Sequence, residues 1–99
     1  MSAVYDYATK LCSALKTKHD TRFNCIPCEF VVEEGRKYYK IIQVGEHQRS
    51  VHAFVDKKNG DLYKAASWAA PAKGVRYNLM NDLENVLTVC DWAGSYLYR

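Results

Sequence analysis

The chain has 99 residues, 48% of them hydrophobic and 25% charged, a balance that describes one compact folded domain and argues against a disordered chain, a low-complexity segment or a second domain. At this size folding buries about 60–70% of the surface that the extended chain exposes, which supports a modest core and argues against large cofactors and deep clefts. The net charge of +3 is small, but nine of the 14 Lys and Arg residues and only three of the 11 Asp and Glu residues fall between 36 and 76, so the middle of the chain is its basic part.

The apolar positions Val4, Ala8, Leu11, Cys12 and Leu15 follow the i, i+4, i+7, i+8, i+11 spacing of one helical face. They predict an amphipathic helix with Ser2 as N-cap, Asp6 in the first turn, and an end near His19 or Asp20. Pro27 restricts its predecessor to extended geometry. In Cys28–Glu34, alternation places Cys28, Phe30 and Val32 on the buried side and Glu29, Val31 and Glu33 on the other. The turn Glu34-Gly35-Arg36 leads into a strand over Lys37–Val44, rich in aromatic and β-branched residues. Gly45–Gln48 is a second turn, Ser50–Asp56 a third strand, and Asn59-Gly60 a hairpin turn into a fourth strand over Asp61–Ala65. Residues 66–77, with Pro71 and Gly74, read as a loop. From the N-cap Asn78, the set Leu79, Leu83, Val86, Leu87, Cys90, Ala93 and Leu97 predicts one helix of more than four turns, with Gly94 as its weak point. The expected fold is α+β, a four-stranded antiparallel meander flanked by an N-terminal and a C-terminal helix in the order α-β-β-β-β-α, because every strand connection is short.

No apolar run approaches the ~20 residues that span a bilayer, and Met1–Asp6 carries no basic, apolar leader, so the chain is read as soluble and cytoplasmic, with its four cysteines reduced. Cys25-Ile26-Pro27-Cys28 has the C-x-x-C spacing of a half zinc site or a redox pair. The other candidate ligands, Cys12, His19 and Cys90, are scattered, and Pro27 leads into a strand and not a helix mouth. The simpler reading makes Cys12, Cys28 and Cys90 small core residues, with no metal and no cofactor. His19, His47 and His52 share no local face, and a meeting of Cys25, His52 and Asp56 has no motif behind it. There is no P-loop, dinucleotide fingerprint or H-E-x-x-H. The chain reads as a non-enzyme.

The basic middle interleaves cations with rings: Arg36, Lys37, Tyr38, Tyr39 and Lys40, then Arg49, Lys57, Lys58, Tyr63, Lys64, Trp68, Lys73, Arg76 and Tyr77. An exposed sheet face of this composition offers rings for bases to stack on and cations for phosphates. From it Arg36, Lys37, Tyr39, Lys57, Lys64, Trp68, Lys73, Arg76 and Tyr77 emerge as candidate binding residues. The competing reading is that the rings fill cross-strand positions beside lysine stems and need no ligand.

Gly60-Asp61-Leu62-Tyr63-Lys64-Ala65-Ala66-Ser67-Trp68, followed by Ala70-Pro71-Ala72-Lys73-Gly74-Val75-Arg76, resembles a segment of small uncharacterised proteins of tailed bacteriophages. The resemblance covers Asp56–Tyr77. It implies a phage-encoded accessory protein made in the host cytoplasm, brings no activity or catalytic residues with it, and draws attention to Trp68, Pro71, Lys73 and Arg76. The expected function is a small non-catalytic protein that binds an anionic partner, nucleic acid first. The alternative is a protein-interaction module that inhibits or redirects a host protein, or assembles with itself through an exposed strand or aromatic patch.

Overall fold

A computed structural model describes residues 3–22, 28–45, 48–90 and 95–97. Helix α1 (Ala3–Arg22) buries the expected stripe of Val4, Ala8, Leu11, Cys12 and Leu15, and the same stripe continues one turn further to His19. The helix runs two residues past the expected end, with Thr21 Oγ1 donating to Thr17 O at 2.8 Å. The expected cap, Ser2, lies outside the described residues.

Five strands follow: β1 (Glu29–Glu34), β2 (Tyr38–Val44), β3 (Arg49–Asp56), β4 (Asp61–Lys64) and β5 (Tyr77–Asn78). They form one antiparallel sheet in the order β1-β2-β3-β4-β5. The meander is as expected, with a short fifth strand cut from the end of the expected loop. Tyr77 pairs with Leu62 and Asn78 with Asp61, which brings the chain back beside β4. Between β2 and β3 the register shifts: Ile41 faces Ala53 but Ile42 faces Val51. His52 is thus the extra residue of a β-bulge, which turns its ring toward the same side as Ala53. Asn59-Gly60 forms the β3–β4 turn with Gly60 at φ +81, and Gly60 N donates to Asp56 O at 2.9 Å. A β-carbon on Gly60 would stand 2.7 Å from Met80 Cγ, so both backbone and neighbours require glycine there.

Helix α2 (Leu79–Val89) is capped as expected, Asn78 Oδ1 accepting from Met80 N and Asn81 N at 2.9 Å each. It is shorter than the sequence pattern predicts. It bends at Asp82 and stops at Cys90, which is extended (φ −62, ψ 149), and a separate 3-10 turn occupies Ser95–Leu97. A straight helix from Leu79 to Leu97 would separate its ends by roughly 27 Å at 1.5 Å per residue. Instead Leu97 O accepts from Arg76 Nε at 2.7 Å, so the chain doubles back and returns Tyr96 and Leu97 to the core. The carbonyls left open at the end of α2 are satisfied from α1, as Lys18 Nζ donates to Thr88 O at 2.8 Å and Cys90 O at 2.7 Å.

Both helices lie on one face of the sheet. Helix α1 packs on β1, β2 and β3, and α2 packs on α1, β4 and β5. The core between them gathers Phe30, Tyr39, Ile41, Ala53, Val55 and Leu62 from the strands with Leu11, Leu15, Leu79 and Val86 from the helices. No described helix is long and apolar enough to cross a membrane.

Candidate functional site

Strand alternation assigns the opposite, helix-free face. Because Tyr39, Ile41 and Val55 point into the core, their neighbours Tyr38, Lys40, Ile42 and Phe54 point away from it. Tyr63 joins them through its pairing with Phe54. These side chains form a second, smaller cluster. Phe54 meets Tyr38 edge-on at 5.8 Å, Tyr38 meets Tyr63 at 5.9 Å, and Lys40 Nζ stands 5.8 Å from the Phe54 ring. Phe54 is only 2% exposed although no helix covers it. Burial and the neighbouring Asp61 carboxylate push the Tyr63 hydroxyl above its usual pKa, so it stays a neutral donor at physiological pH.

The chain after β4 builds the edge of this face. Ala65 bridges to Pro71, and Ala72 N donates to Lys64 O at 2.7 Å. Within this closure Ala66 N and Ser67 N both donate to Ala70 O, at 3.0 and 3.1 Å. The result is a tight turn with Trp68 at its tip. Pro71 suits the bridge because the ladder bond next to it comes from Ala72. Trp68 is 46% exposed, and two cations from the sheet reach its indole: Lys40 Nζ at 4.6 Å and Arg49 Cζ at 5.7 Å from the ring centroid. Between this turn and the start of β3 lies a shallow cleft of about 350 Å³ lined by Ser50, Val51, Ala65, Ala66, Ser67 and Trp68.

The nine candidate residues do not share one surface. Trp68 belongs to the helix-free face, and Lys37 reaches it by lying over the Tyr38 ring at 5.4 Å. Tyr39 is buried on the helix side, edge-on to Tyr5 at 5.5 Å. Lys57 lies over the same Tyr39 ring at 5.3 Å and ties the hairpin ends together, donating to Glu34 Oε2 at 2.6 Å and Gly35 O at 3.0 Å. Lys64, paired with Ala53, projects from the sheet edge on the helix side. Arg76 holds the returning C-terminal turn through Leu97 O, and Tyr77 packs on Tyr96 at 6.0 Å. Arg36 is exposed at the β1–β2 turn and Lys73 on the loop before β5. Pro71, also noted for the phage-like segment, serves the bridge.

Lys40, Arg49 and Ser67 are the side chains that the fold adds to Trp68. Parity alone could have grouped Lys40 with Tyr38, once Tyr39 and Ile41 are assigned to the core. Nothing local links them to Trp68, which lies 28 residues beyond Lys40.

The cysteine and histidine candidates separate. Cys12, Cys28 and Cys90 are core residues, and burial pushes the Cys12 thiol up to about 12, where it is a poor nucleophile and ligand at neutral pH. Cys25 and His47 lie outside the described residues. His52 is buried on the helix side, hydrogen-bonded to the Tyr96 hydroxyl at 2.7 Å and stacked on its ring at 5.6 Å, whereas Asp56 shares the parity of Phe54 and faces the other way. His19 lies 3.3 Å from Asp20 Oδ1, and this contact together with Lys16 holds the Asp20 carboxyl below the usual carboxylate range. Among the described residues no three His, Cys, Asp or Glu side chains come close enough to hold a metal ion.

Fold and site together define a small α+β domain with a helix-covered apolar face and an open face bearing a cation-flanked tryptophan. The chain belongs to a family of unknown function, DUF7717, whose profile matches residues 1–99. No curated protein and no solved structure matches it significantly.

Proposed function

We propose that this is a non-catalytic binding protein that holds an anionic partner, nucleic acid first, on the helix-free face of its sheet. The observation that carries the reading is Trp68, kept half-exposed at the tip of a hydrogen-bonded turn with Lys40 and Arg49 at its ring. A rigid exposed ring beside two cations matches the two needs of nucleic-acid binding, a stacking platform and phosphate neutralisation. Tyr38 and Tyr63 extend the ring-bearing area. The face is not uniformly positive: Glu33 Oε2 lies 3.6 Å from Arg49 Nη2, so affinity rests on a few cations and declines with salt at a slope set by that small number. On this reading the phage-like segment brings Trp68 to the contact and the strands before it bring Lys40 and Arg49, and the work is that of an accessory protein in a host cytoplasm.

The test is retention of the purified protein on single- and double-stranded nucleic acid across a salt series. Retention at low salt that declines as salt rises is expected, and no retention at low salt overturns the reading. Recovery of a specific host protein, insensitive to nuclease and lost on Trp68→Ala, would put a protein partner in place of nucleic acid.

A further inference from the structure

We propose that the cleft beside Trp68 seats one unpaired base of a single-stranded nucleic acid, stacked on the indole while Lys40 and Arg49 take the flanking phosphates. This rests on the nucleic-acid reading above and narrows it to a strand form and a set of residues. The cleft, about 350 Å³, lies at the lower end of the ~300–1,000 Å³ typical of small-ligand sites, a size for a single planar group and not for a folded surface. Its lining is divided by chemistry. Val51, Ala65 and Ala66 are small and apolar, Trp68 supplies the one aromatic wall, and Ser67 supplies a hydroxyl that both donates and accepts, while Ser50, paired with Gln43, borders the cleft with its backbone. Such a hydroxyl can meet the edge of any base, so the site favours an unpaired base without selecting a sequence.

Two features favour a strand over a duplex. The bases of a duplex already stack on one another, and reaching the cleft would require extruding one at the cost of unstacking and unpairing. The Trp68 indole stacks on no other ring among the described residues, and its turn is held by the Ala66, Ser67 and Ala72 backbone bonds, so little ordering remains for binding to impose.

The cations then act by exchange. Lys40 Nζ and Arg49 rest at the indole, 4.6 and 5.7 Å from its centroid. Lys40 has no carboxylate partner among the described residues, and Arg49 has only the exposed 3.6 Å contact with Glu33. A phosphate draws both cations toward solvent and clears the ring for the base, replacing two cation–π contacts by two charge-assisted ones and a stack.

Three probes of equal length at low salt test this: a single-stranded oligonucleotide, its duplex, and an abasic strand with the same phosphates. The single strand is expected to bind at least about five-fold more tightly than the other two, the lower end of what one stacked base contributes. Trp68→Ala should bring it down to the abasic level while leaving abasic binding and its salt dependence unchanged. Trp68→Phe, which keeps a ring, should retain most of the preference, and circular dichroism of each variant checks the fold. The double variant Lys40→Met with Arg49→Met should weaken all three probes and flatten the salt dependence. Salt-dependent binding that is equal for all three probes, or unaltered by Trp68→Ala, removes the base seat and leaves phosphate binding standing. Binding to none of the probes removes both.

Discussion

The two faces of the sheet come from the same strands and the same alternation, yet they bury their rings in different ways. On the helix side Phe30, Tyr39, Ile41, Val55 and Leu62 are sealed by two helices, and the apolar surface is continuous with Leu11, Leu15, Leu79 and Val86. On the other side Phe54 is buried without any helix, by Tyr38 and the Lys40 stem within the sheet itself. Trp68, delivered by a turn, stops half-covered. One face is closed by layers and the other by side chains only one residue thick. A side-chain cover can be displaced by a ligand at small cost, whereas parting the helices from the sheet would unfold the domain.

The sharpest way to break this comparison is to cut the closed face. Ile41→Ala removes a fully buried side chain and is expected to cost about 2–5 kcal/mol in urea unfolding. Val31→Ala, on the open face and 40% exposed, should stay within about 0.5 kcal/mol. Equal losses would mean that the open face is also core. Asn78→Ala removes the cap of α2 together with the Asn78 Nδ2 bonds to Asn59 O at 2.9 Å and Asp61 Oδ1 at 2.7 Å. A loss of about 1–2 kcal/mol is expected, with nucleic-acid binding intact, because the cap supports the closed side. Trp68→Ala should lower the free energy of unfolding by about 1–2 kcal/mol, since the ring is half-exposed and gives up chiefly two exposed cation–π contacts, while it removes the single-strand preference. A stability loss of several kcal/mol would instead make Trp68 a core anchor. The smallest effect is expected from Glu33→Gln, which takes a carboxylate from beside Arg49. It should raise low-salt affinity by about two- to five-fold, on the scale of one exposed ion pair, and leave unfolding unaltered.

The α1 stripe, the strand alternation, the Asn59-Gly60 turn and the Asn78 cap were all legible because each depends on residues a few positions apart. His19 could have been added to the α1 stripe by one more i+4 step from Leu15. The end of α2 was not legible. Its apolar spacing continues in phase to Leu97, and only the return of Tyr96 onto His52 and of Leu97 onto Arg76 shows that the same residues reach the core by doubling back. The fifth strand was hidden for a related reason: two residues carry no alternation, and Tyr77–Asn78 is a strand because Asp61 and Leu62 stand beside it.

For the site the division is clearer still. Sequence alone determined that cations and rings crowd the middle of the chain and that strands there would present them alternately, since residue type and the two-residue pleat are local properties. Which parity of β2, β3 and β4 faces the helices, that Tyr39, Lys57, Lys64, Arg76 and Tyr77 are taken up by packing, edge and clamp positions, and that Trp68 comes to rest against Lys40 and Arg49 were decided only by the tertiary structure. Those contacts join residues far apart in the chain, and the amphipathic helices determine them by choosing the face on which to bury their apolar stripes.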